Sequence, residues 1–171
     1  MVKDAPTAVA DVITVKDLVK VYGNVRAVDG ISFAVEKGEV FAFLGPNGAG
    51  KTTTVEMIET IRTPTSGEIS ILGMDVKKDR MEILKRIGVL PQEFSSFDRL
   101  TVEETVRYYS QLFCSDCDAD RLIKLVNLEE HRKKLYVNLS GGLKQRVGIA
   151  VSLVNNPEIV FLDEPTTGLD P

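Results

Sequence analysis

The sequence lacks several residue types on which common kinds of protein depend. Its 171 residues include no tryptophan, one histidine and two cysteines, and aromatic residues make up 6% of the chain. The cysteines, Cys114 and Cys117, cannot form a disulfide framework, and they offer only two of the four ligands that a structural zinc ion usually needs. The single histidine, His131, is poorly placed to help. The composition therefore argues against a disulfide scaffold or a structural zinc site.

Long apolar runs and excess positive charge are also missing. Spanning a bilayer takes about 20 consecutive apolar residues, and the apolar stretch at 147–154 is already interrupted by Gly148 and Ser152. The net charge of −4 argues against a general nucleic-acid partner. Residues 1–11 show no signal-peptide pattern. We expect a cytoplasmic protein with a flexible N-terminus over 1–11.

The distribution of apolar residues predicts one α/β domain with a sizeable core, since 43% of the chain is apolar. The five apolar residues at 40–44 suit a strand buried on both faces, and a helix over about 51–61 follows. Predicted strands lie at 13–22, 31–36, 40–44, 68–72, 88–90 and 159–162.

The pattern becomes helical after Gln92. Thr101 and Glu104 form a capping box at the start of a helix. Spacings of four and three residues then define one apolar face of that helix, formed by Val102, Val106, Tyr109 and Phe113. Further helices are expected at 118–126, 130–135 and 141–154. We interpret residues of about 93–139 as a helical subdomain inserted into an α/β core.

A glycine-rich segment after the strand at 40–44 matches the phosphate-loop pattern G-x-x-x-x-G-K-[ST]. Its glycines allow backbone N–H groups to surround a triphosphate at a helix N-terminus. Lys51 can reach the β- and γ-phosphates, and the Thr52 hydroxyl can bind Mg²⁺. The segment therefore predicts nucleotide binding by Gly45, Pro46, Asn47, Gly48, Ala49, Gly50, Lys51, Thr52 and Thr53.

Two adjacent acids end the apolar strand at 159–162. Burying Asp163 and Glu164 there would be unfavourable without a positive partner, which Mg²⁺ with a nucleotide supplies. We expect Asp163 to hold the ion and Glu164 to act as general base toward the attacking water.

A third motif indicates the family. Leu139, Ser140, Gly141 and Gly142 precede a helix about 90 residues after the phosphate loop, and this segment resembles the signature of ABC ATPases. The resemblance covers residues 12–171, with the motifs in the family's order. It implies a P-loop NTPase (RecA-like) α/β core with an antiparallel β edge, and ATP and Mg²⁺ as ligands.

The resemblance also implies roles for residues with little meaning alone. Tyr22 corresponds to the aromatic residue that stacks on adenine. Gln92 corresponds to the Q-loop glutamine, which contacts Mg²⁺ and water and connects the site to a membrane partner. Residues 168–171 look like the D-loop. The implied catalytic residues are Lys51, Gln92 and Glu164.

The same resemblance implies partners. In the family, the signature residues Ser140, Gly141 and Gly142 close on the γ-phosphate bound by a second subunit, which buries two ATP molecules head to tail. We therefore expect a homodimer or a paired ATP-binding subunit. A transmembrane permease would hold it at the inner face of the cell membrane, where ATP hydrolysis drives export.

Two departures from the family pattern stand out. Leu143 replaces the glutamine found in many members, and together with residues 65–67 it looks more like the multidrug and ABC-2 export branch. The family's switch histidine lies some thirty residues past the D-loop, and the sequence ends at Pro171. We expect a fragment truncated at the D-loop, with weak ATP binding and poor hydrolysis.

An alternative is a soluble ABC ATPase that acts on ribosomes or DNA. The insert of about 45 residues has no sustained heptads, and no basic patch stands out, since 77–78 and 132–134 read as solvated faces. These features favour the transporter subunit. A GTPase or kinase of the wider P-loop class lacks support once the signature is counted.

Overall fold

The computed structural model describes residues 11–113 and 117–163. The chain divides into two compact units, residues 1–84 and 85–171. Residues 1–10 of the predicted flexible N-terminus lie outside the described residues, and Asp11 is the first residue of a strand. Cys114, Glu164 and the D-loop predicted at 168–171 also lie outside them.

The first unit contains a four-stranded antiparallel sheet with the order β2-β1-β3-β4. Its apolar side chains alternate along the strands, and Val15, Leu18 and Ile71 are almost completely buried. One face of the sheet therefore supports the core of this unit. The strands are β1 (Asp11–Tyr22), β2 (Val25–Glu36), β3 (Ser66–Ile71) and β4 (Met74–Asp75).

Helix α1 (Lys51–Ile58) follows a loop and buries Met57 and Ile58. It matches the helix predicted at 51–61 but ends three residues earlier. A second helix, α2 (Arg80–Arg86), was not predicted. It has one buried residue, Ile83, so the sequence shows no apolar periodicity there.

The strand predicted at 40–44 is wrong. These residues have no regular secondary structure, and Val40 and Leu44 are 96% and 91% exposed. Phe41 stacks on Phe33 of β2, with ring centroids 5.1 Å apart. A strand buried on both faces needs neighbouring strands on both edges, and among the described residues no strand pairs with this segment.

The second unit contains a two-stranded parallel sheet of β5 (Ile87–Leu90) and β6 (Ile159–Leu162). Helix α5 (Gly141–Ser152) packs close to β5. A Cβ atom on Gly88 would lie 1.9 Å from the Ser152 carbonyl oxygen, and one on Gly148 would lie 2.6 Å from Leu90 Cδ1. Two missing side chains thus allow the helix to approach the sheet this closely.

Two further helices belong to the described part of this unit: α3 (Val102–Phe113) and α4 (Ala119–Leu125). Short 3₁₀ turns follow at Glu129–His131 and Tyr136–Asn138. All four elements lie within the predicted insert, whose boundaries stay a prediction. Their apolar core includes the fully buried residues Val102, Val106, Leu128, Val147 and Ala150.

The apolar face predicted for α3 is correct in its first half. Val102 and Val106 are fully buried, whereas Phe113 is 61% exposed. The Phe113 ring instead stacks on Tyr109, with centroids 6.4 Å apart. The predicted capping box is confirmed: the Thr101 backbone N–H donates to the Glu104 carboxylate, and the Glu104 N–H donates to Thr101 Oγ1.

None of the helices in the described residues is long and apolar enough to cross a bilayer.

Candidate functional site

The predicted phosphate loop is an exposed turn directly before α1. Gly45, Gly48 and Gly50 have φ angles of 152°, 83° and 83°. These values lie in the region that glycine adopts readily and other residues avoid. The loop therefore has the backbone conformation for which its three glycines were singled out, and it leads into a helix N-terminus, which attracts anions.

Lys51 places a positive charge inside this loop. Its Nζ atom donates hydrogen bonds to the carbonyl oxygens of Gly45 (2.7 Å) and Pro46 (2.8 Å). Thr52, the next residue, is exposed and carries a hydroxyl group. The loop thus combines an ammonium group, backbone N–H groups and a hydroxyl, which suits a phosphate chain with a metal ion.

Gly50 has a second reason to be glycine. A Cβ atom there would lie 2.2 Å from the Ala27 carbonyl oxygen and 3.2 Å from Val28 Cγ2. Strand β2 therefore packs against the loop at Gly50, the N-cap residue directly before α1. This close approach fixes the end of the loop to the antiparallel sheet.

Tyr22, predicted to stack on adenine, lies at the end of β1 and is 40% exposed. Two cations contact its ring: Lys20 Nζ lies 5.1 Å and the Arg62 guanidinium carbon 5.8 Å from the centroid. Lys20 Nζ also donates to the Thr63 carbonyl oxygen at 2.7 Å. The hydrogen bond and charge of Glu56 raise the pKa of Arg62.

These two cations were not predicted from the sequence. Lys20 could have been found, since it lies two residues before Tyr22 and strand residues two apart share a face. Arg62 offers no such signal because it is 40 residues away in the chain.

In the second unit, the parallel register places Gln92 and Asp163 at the same edge of the sheet. Leu90 pairs with Leu162 at the end of both strands, and the Asp163 N–H donates to the Leu90 carbonyl oxygen at 3.0 Å. Gln92 follows two residues after β5 and is exposed. The carboxyl ends of parallel strands are where α/β proteins bind ligands.

The signature segment begins α5. Ser140 is the N-cap, and its Oγ accepts a hydrogen bond from the Leu143 N–H at 3.4 Å. Gly141 is exposed and Gly142 is partly so. A helix of 12 residues starts here, so its first N–H groups and its dipole favour an anion.

Each unit thus brings together part of the predicted set. Tyr22 and the phosphate loop belong to the first unit, and Gln92, Asp163 and the signature residues belong to the second. Glu164 lies outside the described residues.

A model of the ABC transporter family matches residues 28–167. The chain belongs to this family. The bacitracin transport ATP-binding protein BcrA of Bacillus licheniformis is 40% identical over 162 residues, which cover 94% of this chain and 53% of BcrA. The Nod factor export ATP-binding protein I of Rhizobium meliloti is 41% identical over 175 residues, which cover 97% of this chain and 50% of that protein.

The ABC fold is confirmed by solved structures. The dimeric structure of the ATP-binding cassette MJ0796 in a post-hydrolysis state, bound to ADP and Pi, has a TM-score of 0.80 and 29% identity. The superposed residues make up 92% of this chain and 76% of the cassette. The α/β P-loop core with an antiparallel β edge is therefore established. The chain spans about half the length of BcrA and of the Nod factor protein.

The donor groups suit Mg²⁺ held together with a nucleotide. Within the described residues, no cluster of three His, Cys, Asp or Glu side chains could hold a metal ion alone. Magnesium at phosphate sites typically uses one or two protein oxygens, with phosphate and water supplying the others. Thr52 in the first unit carries an oxygen of this kind beside the phosphate loop, and the second unit carries two at one sheet edge, those of Gln92 and Asp163.

Proposed function

We propose that this chain is the ATP-binding and ATP-hydrolysing part of an ABC exporter. The observation that carries the proposal is the phosphate loop, in which Lys51 Nζ lies 2.7 Å and 2.8 Å from two loop carbonyl oxygens at the start of α1. The family match over residues 28–167 supports the same function.

The first unit is proposed to bind the triphosphate and the adenine ring of ATP. The N–H groups of the loop and the Lys51 ammonium bind the β- and γ-phosphates. The Tyr22 ring stacks on adenine, which suits an exposed aromatic face. The residues proposed to bind the nucleotide are Tyr22, 45–53 and, from a second subunit, Ser140, Gly141 and Gly142.

Hydrolysis is assigned to the polar groups that follow the parallel strands. Mg²⁺, when bound, would neutralise charge that develops on the phosphates. Thr52, Gln92 and Asp163 are its proposed ligands. Glu164 takes a proton from the attacking water, and Gln92 orients that water.

The proposed partners are a second ATP-binding subunit and a transmembrane permease. The N-terminus of α5, with Ser140 as its cap, is exposed and suited to an anion, as a head-to-tail ATP sandwich requires. Two of the relatives are named for bacitracin transport and Nod factor export. This agrees with a role at the cytoplasmic face of a membrane.

Replacing Glu164 tests the hydrolytic part of the proposal. Glu164→Gln should keep ATP binding and slow ATP turnover by about 10²–10⁴-fold, because the amide cannot accept the proton. The measurement is steady-state phosphate release alongside equilibrium ATP binding.

Glu130→Gln, which changes an exposed carboxylate outside the predicted site, is the matched control. It should leave both quantities unchanged. Wild-type turnover by Glu164→Gln would show that another group is the base, whereas a wild-type protein that binds no ATP would refute the proposal as a whole.

A further inference from the structure

The first unit contains a cavity of about 360 Å³ with a basic lining, which includes no residue of the phosphate loop but shares Arg62 with the surroundings of the Tyr22 ring. We propose that it binds a small anion carrying one or two phosphate groups. The eight lining residues include three cations, Arg62, Lys77 and Arg80, and no acidic residue. The other five are Thr60, Ile61, Thr63, Pro64 and Val76.

Thr60 lines the cavity at the point where α1 ends. Its φ of 63° is the left-handed conformation with which helices commonly end, and the Ile61 N–H donates back to the Glu56 carbonyl oxygen at 2.8 Å. Here Arg80 Nε donates to the Thr60 carbonyl oxygen at 3.0 Å, which fixes the segment against α2.

The charge in the cavity favours an anion. The Lys77 side chain is exposed, and its ammonium group has no partner in the described part of the chain. Arg62 is paired with Glu56, which orients its guanidinium. Arg80 is oriented by Thr60. A phosphate can therefore meet two cations held in place and one that is free to close on it.

The size of the cavity limits the ligand. A volume of about 360 Å³ is at the small end of ligand pockets, which span about 300–1,000 Å³. Such a space suits a phosphate or pyrophosphate group with a small substituent. We therefore assign a soluble small anion as the occupant. A phosphate on the headgroup of an anionic lipid is the alternative ligand.

Pyrophosphate binding measured by calorimetry tests this assignment. The Lys51→Ala protein is used so that the phosphate loop is weakened. It should still bind pyrophosphate saturably with about one site per chain. Lys77→Met, added to Lys51→Ala, should weaken that binding about fivefold or more, because a charge-assisted contact is lost.

Lys78→Met is the matched control, since Lys78 is the exposed neighbour of Lys77 and does not line the cavity. It should change affinity less than twofold. Absence of saturable binding, or equal weakening by the two lysine variants, would overturn the proposal, because either result leaves only general charge attraction.

Vesicles that contain phosphatidic acid distinguish a soluble anion from a lipid headgroup. Binding to these vesicles, without binding of free pyrophosphate, would overturn the assignment of a soluble ligand.

Discussion

Gly50 shows at the scale of one residue how the loop depends on an absent side chain. It shares a φ of 83° with Gly48, but only Gly50 lies against another strand, with the Ala27 carbonyl oxygen 2.2 Å from where its Cβ would be. Backbone conformation and close packing can therefore be tested separately.

We expect Gly48→Ala to lower the free energy of unfolding by about 1–2 kcal/mol, which is the left-handed penalty alone. Gly50→Ala should lower it further, because strand and loop must move apart. Urea unfolding of the two variants measures the difference. Equal losses would mean that the contact with Ala27 adds nothing.

Individual site residues differ in how far the sequence could predict them. The loop and signature residues follow from short local patterns, and the structure places Lys51 and Ser140 at helix starts as expected. Contacts between distant segments leave no local pattern, so the approach of Arg62 to the Tyr22 ring appears only in three dimensions.

Among the elements, helix α3 depends on its capping box. The Thr101 backbone N–H and hydroxyl both donate to the Glu104 carboxylate, and these hydrogen bonds lower the pKa of Glu104. A lowered pKa in the folded state adds stability above the ordinary carboxyl pKa of 4.5. That stability is lost as the pH falls through the lowered value.

The Glu104→Gln variant tests this. Wild-type stability should fall more steeply than that of Glu104→Gln as the pH drops below about 4.5, as seen in thermal unfolding across pH 3–7. Identical pH profiles would contradict a role for the carboxylate.

Helices and strands were predicted correctly where a local apolar pattern determines them. The prediction failed where a strand depends on pairing with neighbouring strands. β6 matches its predicted bounds, 159–162, because its apolar run is short and clearly ended by acids. β4 has only two residues, too few for any period. The run at 40–44 has strand composition, yet an element is formed only when neighbouring strands supply its hydrogen bonds.

For the whole molecule, the two units carry different parts of the proposed site. The exposed N-terminus of α5 is proposed to contact the ATP that a second subunit binds. Ser140→Arg should leave ATP binding by the single subunit intact and block ATP-dependent dimerisation, because a bulky cation replaces the N-cap. Sedimentation with and without ATP measures this. Dimerisation at wild-type strength would contradict the head-to-tail arrangement.

The central claim is that the loop ending at Lys51 binds ATP, and equilibrium binding of a fluorescent ATP analogue tests it most directly. Lys51→Met should weaken binding by about tenfold to a hundredfold, since a charged hydrogen-bonding group is lost. Lys37→Met, an exposed lysine outside the loop, should bind like the wild type. Equal affinity of Lys51→Met and Lys37→Met would contradict the account.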